Sequence, residues 1–246
     1  MMAFVVLLLA KSTPASANWS DWRGPTGDGR SDATDLPLRW SEEENIVWKT
    51  RIHDMEHSTP VVWGDQVWVT TAPEDGRTLY AVRIDLDTGG IVHDIDVFHP
   101  NRPQQIHARN AYATPSAVVE EGRVYVHFGT LGTACLDREA GDILWTQTGL
   151  NCDHMQGPVS SPVLFDDLLI VHLAGVDVQF SAALDKNTGD PVWRVERPRE
   201  LYENVEPAFL RKAYHTPVIV EVDGEAQLVG NGAQVATGHD PRTGEE

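Results

Sequence analysis

The sequence predicts an all-β fold: a β-propeller of four-stranded antiparallel blades, with about four repeats present and the ring incomplete. Three observations predict it. First, an Asp-x-x-x-Gly element recurs four times, opening at Asp85, Asp137, Asp185 and Asp240 and closing at Gly89, Gly141, Gly189 and Gly244. Trp145 and Trp193 follow the two middle glycines by four residues, and His93 holds that place in the first copy. Second, a Ser/Thr-Pro pair precedes each element: Thr59-Pro60, Thr114-Pro115, Ser161-Pro162 and Thr216-Pro217. The Pro-to-Gly separations are 29, 26, 27 and 27 residues, and two landmarks that hold nearly constant spacing four times mark a true internal repeat. Third, the intervening residues follow the period of strands, with no helical pattern between them.

Along the chain, residues 1–17 read as an export signal. The apolar run Ala3 to Ala10 leads into the small-residue site Ala15-Ser16-Ala17, although no basic residue precedes the run. Eight apolar residues are too few for a membrane-spanning helix, which needs about 20. The expected mature start is Asn18, and the location periplasmic or secreted, with no transmembrane segment. Residues 18–45 form an N-terminal lead-in, and residues 46–246 carry the repeats, expected to be truncated at the C-terminal side.

In the first repeat, Val61 to Trp63, the turn Gly64-Asp65 and Val67 to Thr71 make a hairpin, followed by strands over Leu79 to Ile84 and Ile91 to Phe98. The second reads likewise. In each turn the aspartate accepts from backbone N–H groups a few residues on, and the glycine takes a positive φ. Strands apolar on both faces suit blades packed on both sides, with the recurring Trp between neighbours. Asn45 to Thr50 resembles the fourth strands and reads as an outer strand donated to the final blade, either closing a four-blade ring by pairing with the sheet of residues 217–240 or belonging to a larger ring of which this chain is a fragment. A short helix is expected only within Leu201 to Lys212.

With 37 acidic against 19 basic residues the net charge is −18, which excludes a general nucleic-acid surface. Cys135 and Cys152 are the only cysteines. An oxidising compartment would permit a disulfide between them; two free buried thiols is the other reading.

The stretch Ala183 to Trp193, which reads Ala-x-Asp-x-x-Thr-Gly-x-x-x-Trp, resembles the PQQ-type (quinoprotein-like) propeller repeat. That repeat occurs in PQQ-dependent alcohol dehydrogenases, in the propeller lipoprotein of the outer-membrane assembly machine, and in exported PQQ-like repeat proteins. Trp19-Ser20-Asp21-Trp22-Arg23-Gly24-Pro25 resembles the lead-in of the last group. The resemblance implies a propeller but is poorly specific for function. Quinoprotein dehydrogenases place a disulfide of two adjacent cysteines over the cofactor, whereas Cys135 and Cys152 lie 17 residues apart. No constellation of aspartate base and calcium ligands matches either, so no cofactor is expected, with PQQ the alternative.

The segments ahead of each blade's first strand border a propeller's channel, and there the sequence concentrates His57, His107, Arg109, Tyr112, His154, Tyr214 and His215. These seven form the expected ligand-binding rim, suited to a protein partner or small ligand. Tyr112 and Tyr214 sit in matching pentapeptides and also read as plain building residues. His53 and His57 are four apart, but in a loop that spacing does not define a metal site. No nucleophile or catalytic motif is present. The function read from these residues is a binding or scaffolding module of the cell envelope. A PQQ-using oxidoreductase and a carbohydrate-binding or sensor domain are the alternatives.

Overall fold

The computed structural model of this 246-residue chain describes residues 4–6, 18–34 and 36–246. Apart from three short 3-10 turns, its regular elements are antiparallel strands. β1 (Phe4–Val6) pairs with β2 (Lys49–Arg51). Blade one is β3 (Val61–Trp63), β4 (Gln66–Thr71), β5 (Leu79–Asp85) and β6 (Ile91–Phe98). Blade two is β7 (Val118–Glu120), β8 (Arg123–His127), β9 (Thr133–Asp137) and β10 (Ile143–Gln147). Blade three is β11 (Val163–Phe165), β12 (Leu168–Ala174), β13 (Gln179–Asp185) and β14 (Pro191–Glu196). The fourth sheet has three strands, β15 (Val218–Val222), β16 (Glu225–Asn231) and β17 (Ala236–His239). Within each sheet the strands pair in chain order, which is the meander of a propeller blade, and the array is open.

The Asp-x-x-x-Gly element is the device that joins the third strand of a blade to the fourth. Asp137 Oδ1 accepts from the N–H groups of Glu139 and Ala140 at 2.9 and 2.7 Å, and Asp185 Oδ1 from Asn187 at 2.7 Å. The turn closes when the glycine N–H donates to the aspartate carbonyl, at 2.9 Å for Gly89 and 2.8 Å for Gly189. These glycines have φ of 71° and 77°, a backbone state that a Cβ disfavours.

The recurring tryptophan locks each blade to the next turn in the chain. Trp145 of blade two lies on Gly189 of blade three and donates from Nε1 to the Lys186 carbonyl at 3.0 Å. Trp193 repeats the contact on Gly244, donating to Pro241 at 3.1 Å, and His93 substitutes on Gly141, its Nε2 at 2.8 Å from the Glu139 carbonyl. Trp48 makes the same contact on Gly89 and donates to Leu86 at 2.7 Å. The strand that starts directly after it, β2, therefore occupies the outer position of a blade ahead of blade one. Its ladder partner is β1, not the fourth sheet. The core follows the same plan: apolar clusters fill the seams between blades one and two, two and three, and three and four.

Facing the channel, a chain of hydrogen bonds links the first strands. The Thr59 N–H donates to Ser116 Oγ at 2.8 Å, the Ser116 N–H to Ser161 Oγ at 2.9 Å, and the Ser161 N–H to Thr216 Oγ1 at 3.0 Å. Each of these residues stands two before its β-strand, which corrects the repeat alignment. In the second copy the equivalent of Thr59-Pro60 is Ser116-Ala117, two residues beyond the Thr114-Pro115 pair read from the sequence. The lead-in runs along the same inner faces. Trp19 bridges Val62, and the Ser20 carbonyl accepts from Val119 at 2.8 Å.

Two further expectations are decided. The short helix within Leu201 to Lys212 is the 3-10 turn Ala208–Arg211; no α-helix forms there, and Pro207, which lacks an N–H, separates it from the 3-10 turn Arg199–Leu201. Cys135 and Cys152 are free thiols, both buried in the seam between blades two and three. They pack as small apolar groups, and burial pushes each thiol up to about 12. The stretch read as an export signal, 1–17, lies outside the described residues except for the backbone of Phe4–Val6.

Candidate functional site

Because each blade starts with the same geometry, residues two positions before the linking hydroxyl residues converge on the channel. They are His57, Thr114, Val159 and Tyr214, one from each blade, and they line a single cavity of about 120 Å³. Trp22 of the lead-in and His215 complete its wall. A wider recess of about 340 Å³ adjoins it, lined by His107, Arg109, Asn110, Gln156, Val159 and Tyr214. Tyr214 and Val159 border both spaces, so the two form one composite site at one end of the channel.

The recess is built by local hydrogen bonding. His107 Nδ1 accepts from the Arg109 N–H at 3.1 Å, which curls the loop and leaves the Arg109 guanidinium exposed. Asn110 Nδ2 donates to the carbonyls of Gln156 and Pro158 at 2.8 and 3.2 Å, tying this loop to the one ahead of blade three. Tyr214 is 47% exposed, and Lys212 Nζ lies 5.0 Å from its ring centroid. Lys212 itself is buried. Its Nζ donates to the carbonyls of His154 and Gly157, and burial lowers its pKa to about 8.

The structure thus brings five of the seven expected rim residues to this site: His57, His107, Arg109, Tyr214 and His215. Tyr112 lies elsewhere. Its ring is buried against Gly76 and its hydroxyl donates to the Gln104 carbonyl at 2.6 Å. The two-residue shift in the second copy explains this, since the positional equivalent of Tyr214 is Thr114. His154 sits behind the rim, buried, its Nε2 accepting from the Thr130 N–H at 3.2 Å. Burial, with the Lys212 charge adding to it, lowers its pKa to about 3. His53 is held between Asp54 and Asp94 at 2.7 and 3.0 Å and does not reach His57's cavity.

Sequence reasoning missed Trp22, Lys212 and His172. Trp22 was legible only as part of a lead-in pattern, and Lys212 lay in the segment read as a helix. His172 carried a signal, a titratable ring inside the apolar run Leu168 to Ala174. That ring is buried, lies 4.7 Å from His215 and is held neutral by burial well below its usual range. Among the described residues no group of three or more His, Cys, Asp or Glu is placed to hold a metal ion.

Comparison with known proteins agrees with this architecture. The chain is similar to the crystal structure of BamB from Moraxella catarrhalis, with 17% identity, a TM-score of 0.54, and 82% of this chain and 55% of that one covered. It is also similar to a quinohemoprotein alcohol dehydrogenase from Comamonas testosteroni (17% identity, TM-score 0.54, 78% and 34% covered). A europium-containing methanol dehydrogenase gives 14% identity, a TM-score of 0.52, and 76% and 40% coverage. The chain therefore spans about half the length of the BamB structure and less of the dehydrogenases. At these identities the likeness concerns the fold. No match is found among curated proteins. The family model described as outer membrane protein assembly factor BamB matches residues 83–246, which is most of the chain. On that match, and on the repeat geometry that accompanies it, the chain belongs to the BamB-like, PQQ-like repeat family.

Proposed function

We propose that this chain is a binding or scaffolding module of the cell envelope, exported after removal of residues 1–17, that engages a partner at the Tyr214 rim. One observation carries the reading. In a chain with 37 acidic residues, none of the residues lining the two rim cavities is acidic. They offer instead an exposed guanidinium, imidazoles, amides, hydroxyls and two aromatic rings. Such a surface favours an acceptor-rich or acidic segment, with Tyr214 and Trp22 supplying contact area. Membership of the BamB-like family supports a protein as that partner. No helix among the described residues is long and apolar enough to cross a membrane.

The quinoprotein reading finds less support in the residues present. A calcium ion beside PQQ needs several oxygen ligands, usually carboxylates, and the rim cavities have none. The free thiols of Cys135 and Cys152 lie in a blade seam, away from the rim cavities. A redox step is therefore not assigned to the site.

The test is fluorescence anisotropy with labelled acidic, neutral and basic peptides of equal length. Acidic peptides should bind best, and more weakly as salt rises. Arg109→Ala and Tyr214→Ala should each weaken binding by roughly ten-fold, about 1–2 kcal/mol. Equal binding of all three peptide classes, or affinities untouched by both substitutions, would contradict the proposal. Dye-linked alcohol oxidation on adding PQQ and calcium would favour the oxidoreductase, and selective capture on a glycan array the carbohydrate-binding reading.

A further inference from the structure

A second space lies behind the rim, in the seam between blade three and the fourth sheet. It has a volume of about 100 Å³. At roughly 30 Å³ per water, that is room for about three waters or one small polyatomic ion. Its walls include Arg197, which follows β14, His172 of β12, and Thr237 and His239 of β17.

Arg197 is the unusual member. It is only 9% exposed, and no carboxylate pairs with it among the described residues. Its Nη1 donates to Gln179 Oε1 at 2.9 Å, while its Nε is buried with no partner. A Cβ at Gly232 would collide with the guanidinium, so the β16–β17 loop closes directly over it. A guanidinium stays charged at any physiological pH and offers five donors, and a buried charge with no counter-charge is costly. His172 repeats the deficit. Its Nδ1 lies 3.0 Å from Ser181 Oγ, and its Nε2 is buried with no partner. His239 is already engaged, by Thr237 Oγ1 at 3.0 Å and the Gly244 carbonyl at 3.1 Å. Two carboxylate residues border the space. Glu196 is taken by Arg194 at 2.6 Å, and Glu246 is exposed and makes no ion pair with Arg197.

A fixed cation and an unsatisfied imidazole thus share one enclosed space that has room for a few atoms. The guanidinium Nε–H has no acceptor, and in the tautomer whose Nδ1 accepts from the Ser181 hydroxyl the imidazole Nε2–H has none either. We infer that this seam is a binding site for a small oxyanion, a phosphate or a carboxylate, held by the Arg197 guanidinium and the His172 ring. The occupant would tie the end of β14 to β12 of the same blade by satisfying both groups at once, beside the fourth sheet. The site shares no lining residue with the two rim cavities but sits directly behind them, the His172 ring 4.7 Å from that of His215.

Isothermal titration calorimetry on the whole chain tests this, with inorganic phosphate, sulfate, acetate and chloride as separate titrants at neutral pH. Phosphate or acetate should bind with one site per chain and raise the melting temperature. Phosphate binding tighter than acetate would mark an inorganic or phosphoryl ligand, and the reverse order a carboxylate. Arg197→Gln should abolish binding. Arg197→Lys, which keeps the charge and loses the planar fork, should weaken it by about ten-fold. Arg242→Gln removes an equal charge from the exposed Asp166 pair and should leave binding unchanged. Circular dichroism of each variant establishes that it is folded. Absence of binding by the wild-type chain, an equal response to chloride, or binding that survives in folded Arg197→Gln would overturn the inference.

Discussion

Trp145→Ala is expected to destabilise the protein by about 3–5 kcal/mol, the range for deleting a large buried aromatic side chain. The ring is 8% exposed in the seam between blades two and three, beside Tyr125 at 6.1 Å, and it loses both its contact on Gly189 and its hydrogen bond to Lys186. The reciprocal change tests the same contact from below. A Cβ on Gly189 would stand 2.5 Å from the Trp145 ring on a backbone with φ of 77°, so Gly189→Ala should cost at least about 1–2 kcal/mol. Trp40→Ala is the control, since that ring is 58% exposed and its loss should stay within about 0.5 kcal/mol. Urea unfolding followed by circular dichroism measures all three. If Trp145→Ala costs no more than Trp40→Ala, the tryptophan is not the joint between blades.

Acid should destabilise this protein below pH 6.5 through its buried imidazoles. His127 and His215 have pKa values lowered to about 4 and His154 to about 3, by burial in each case, with Lys212 adding to the shift of His154 and Arg197 to that of His215. His172 is driven the same way. Each folded-state value lies below the unfolded value near 6.5, so the unfolded chain takes up protons first as the pH falls. The stability these rings contribute is present above pH 6.5 and is lost progressively down to their folded values. At pH 5 the loss is about 2 kcal/mol for His127 and for His154, and less for the half-buried His215. Glu56 works in the opposite sense, since burial raises its pKa to about 7 and its protonation favours the folded chain as the pH falls. It is one group against four imidazoles, and the net loss is a large share of a total stability of about 5–15 kcal/mol. Melting temperatures from pH 8 to pH 4.5 should therefore fall steeply below pH 6.5. His127→Gln should flatten that fall, whereas a profile flat down to pH 5 would contradict the burial of these rings.

The propeller was legible because its signals are local. The aspartate and glycine of each turn must satisfy backbone groups and a positive φ within five residues, and Trp145 and Trp193 dock at a fixed distance from them. The register of the second copy was not legible. Thr114-Pro115 imitates the blade-opening pair, while Ser116 performs the bonding, and a hydroxyl two residues on is indistinguishable until the strands are paired. That slip carried Tyr112 into the rim beside Tyr214. The rim's position ahead of each first strand could be read from sequence, but which rings face the channel depended on the lead-in. Trp22 enters the site from outside the repeat and leaves no periodic trace. The seam site was hidden for a different reason: Arg197 and His172 are separated in sequence and are brought together only once β12, β13 and β14 are paired within blade three.

The central claim is that residues contributed by all four blades act as one binding surface around Tyr214. Hydrogen exchange followed by mass spectrometry, with and without the tightest-binding acidic peptide, locates that surface directly. Protection should appear in segments 57–59, 107–110, 156–159 and 213–216 and around Trp22, and it should be lost in Arg109→Ala. Protection confined to the outer strands β6, β10 and β14, with those segments unchanged, would contradict the account.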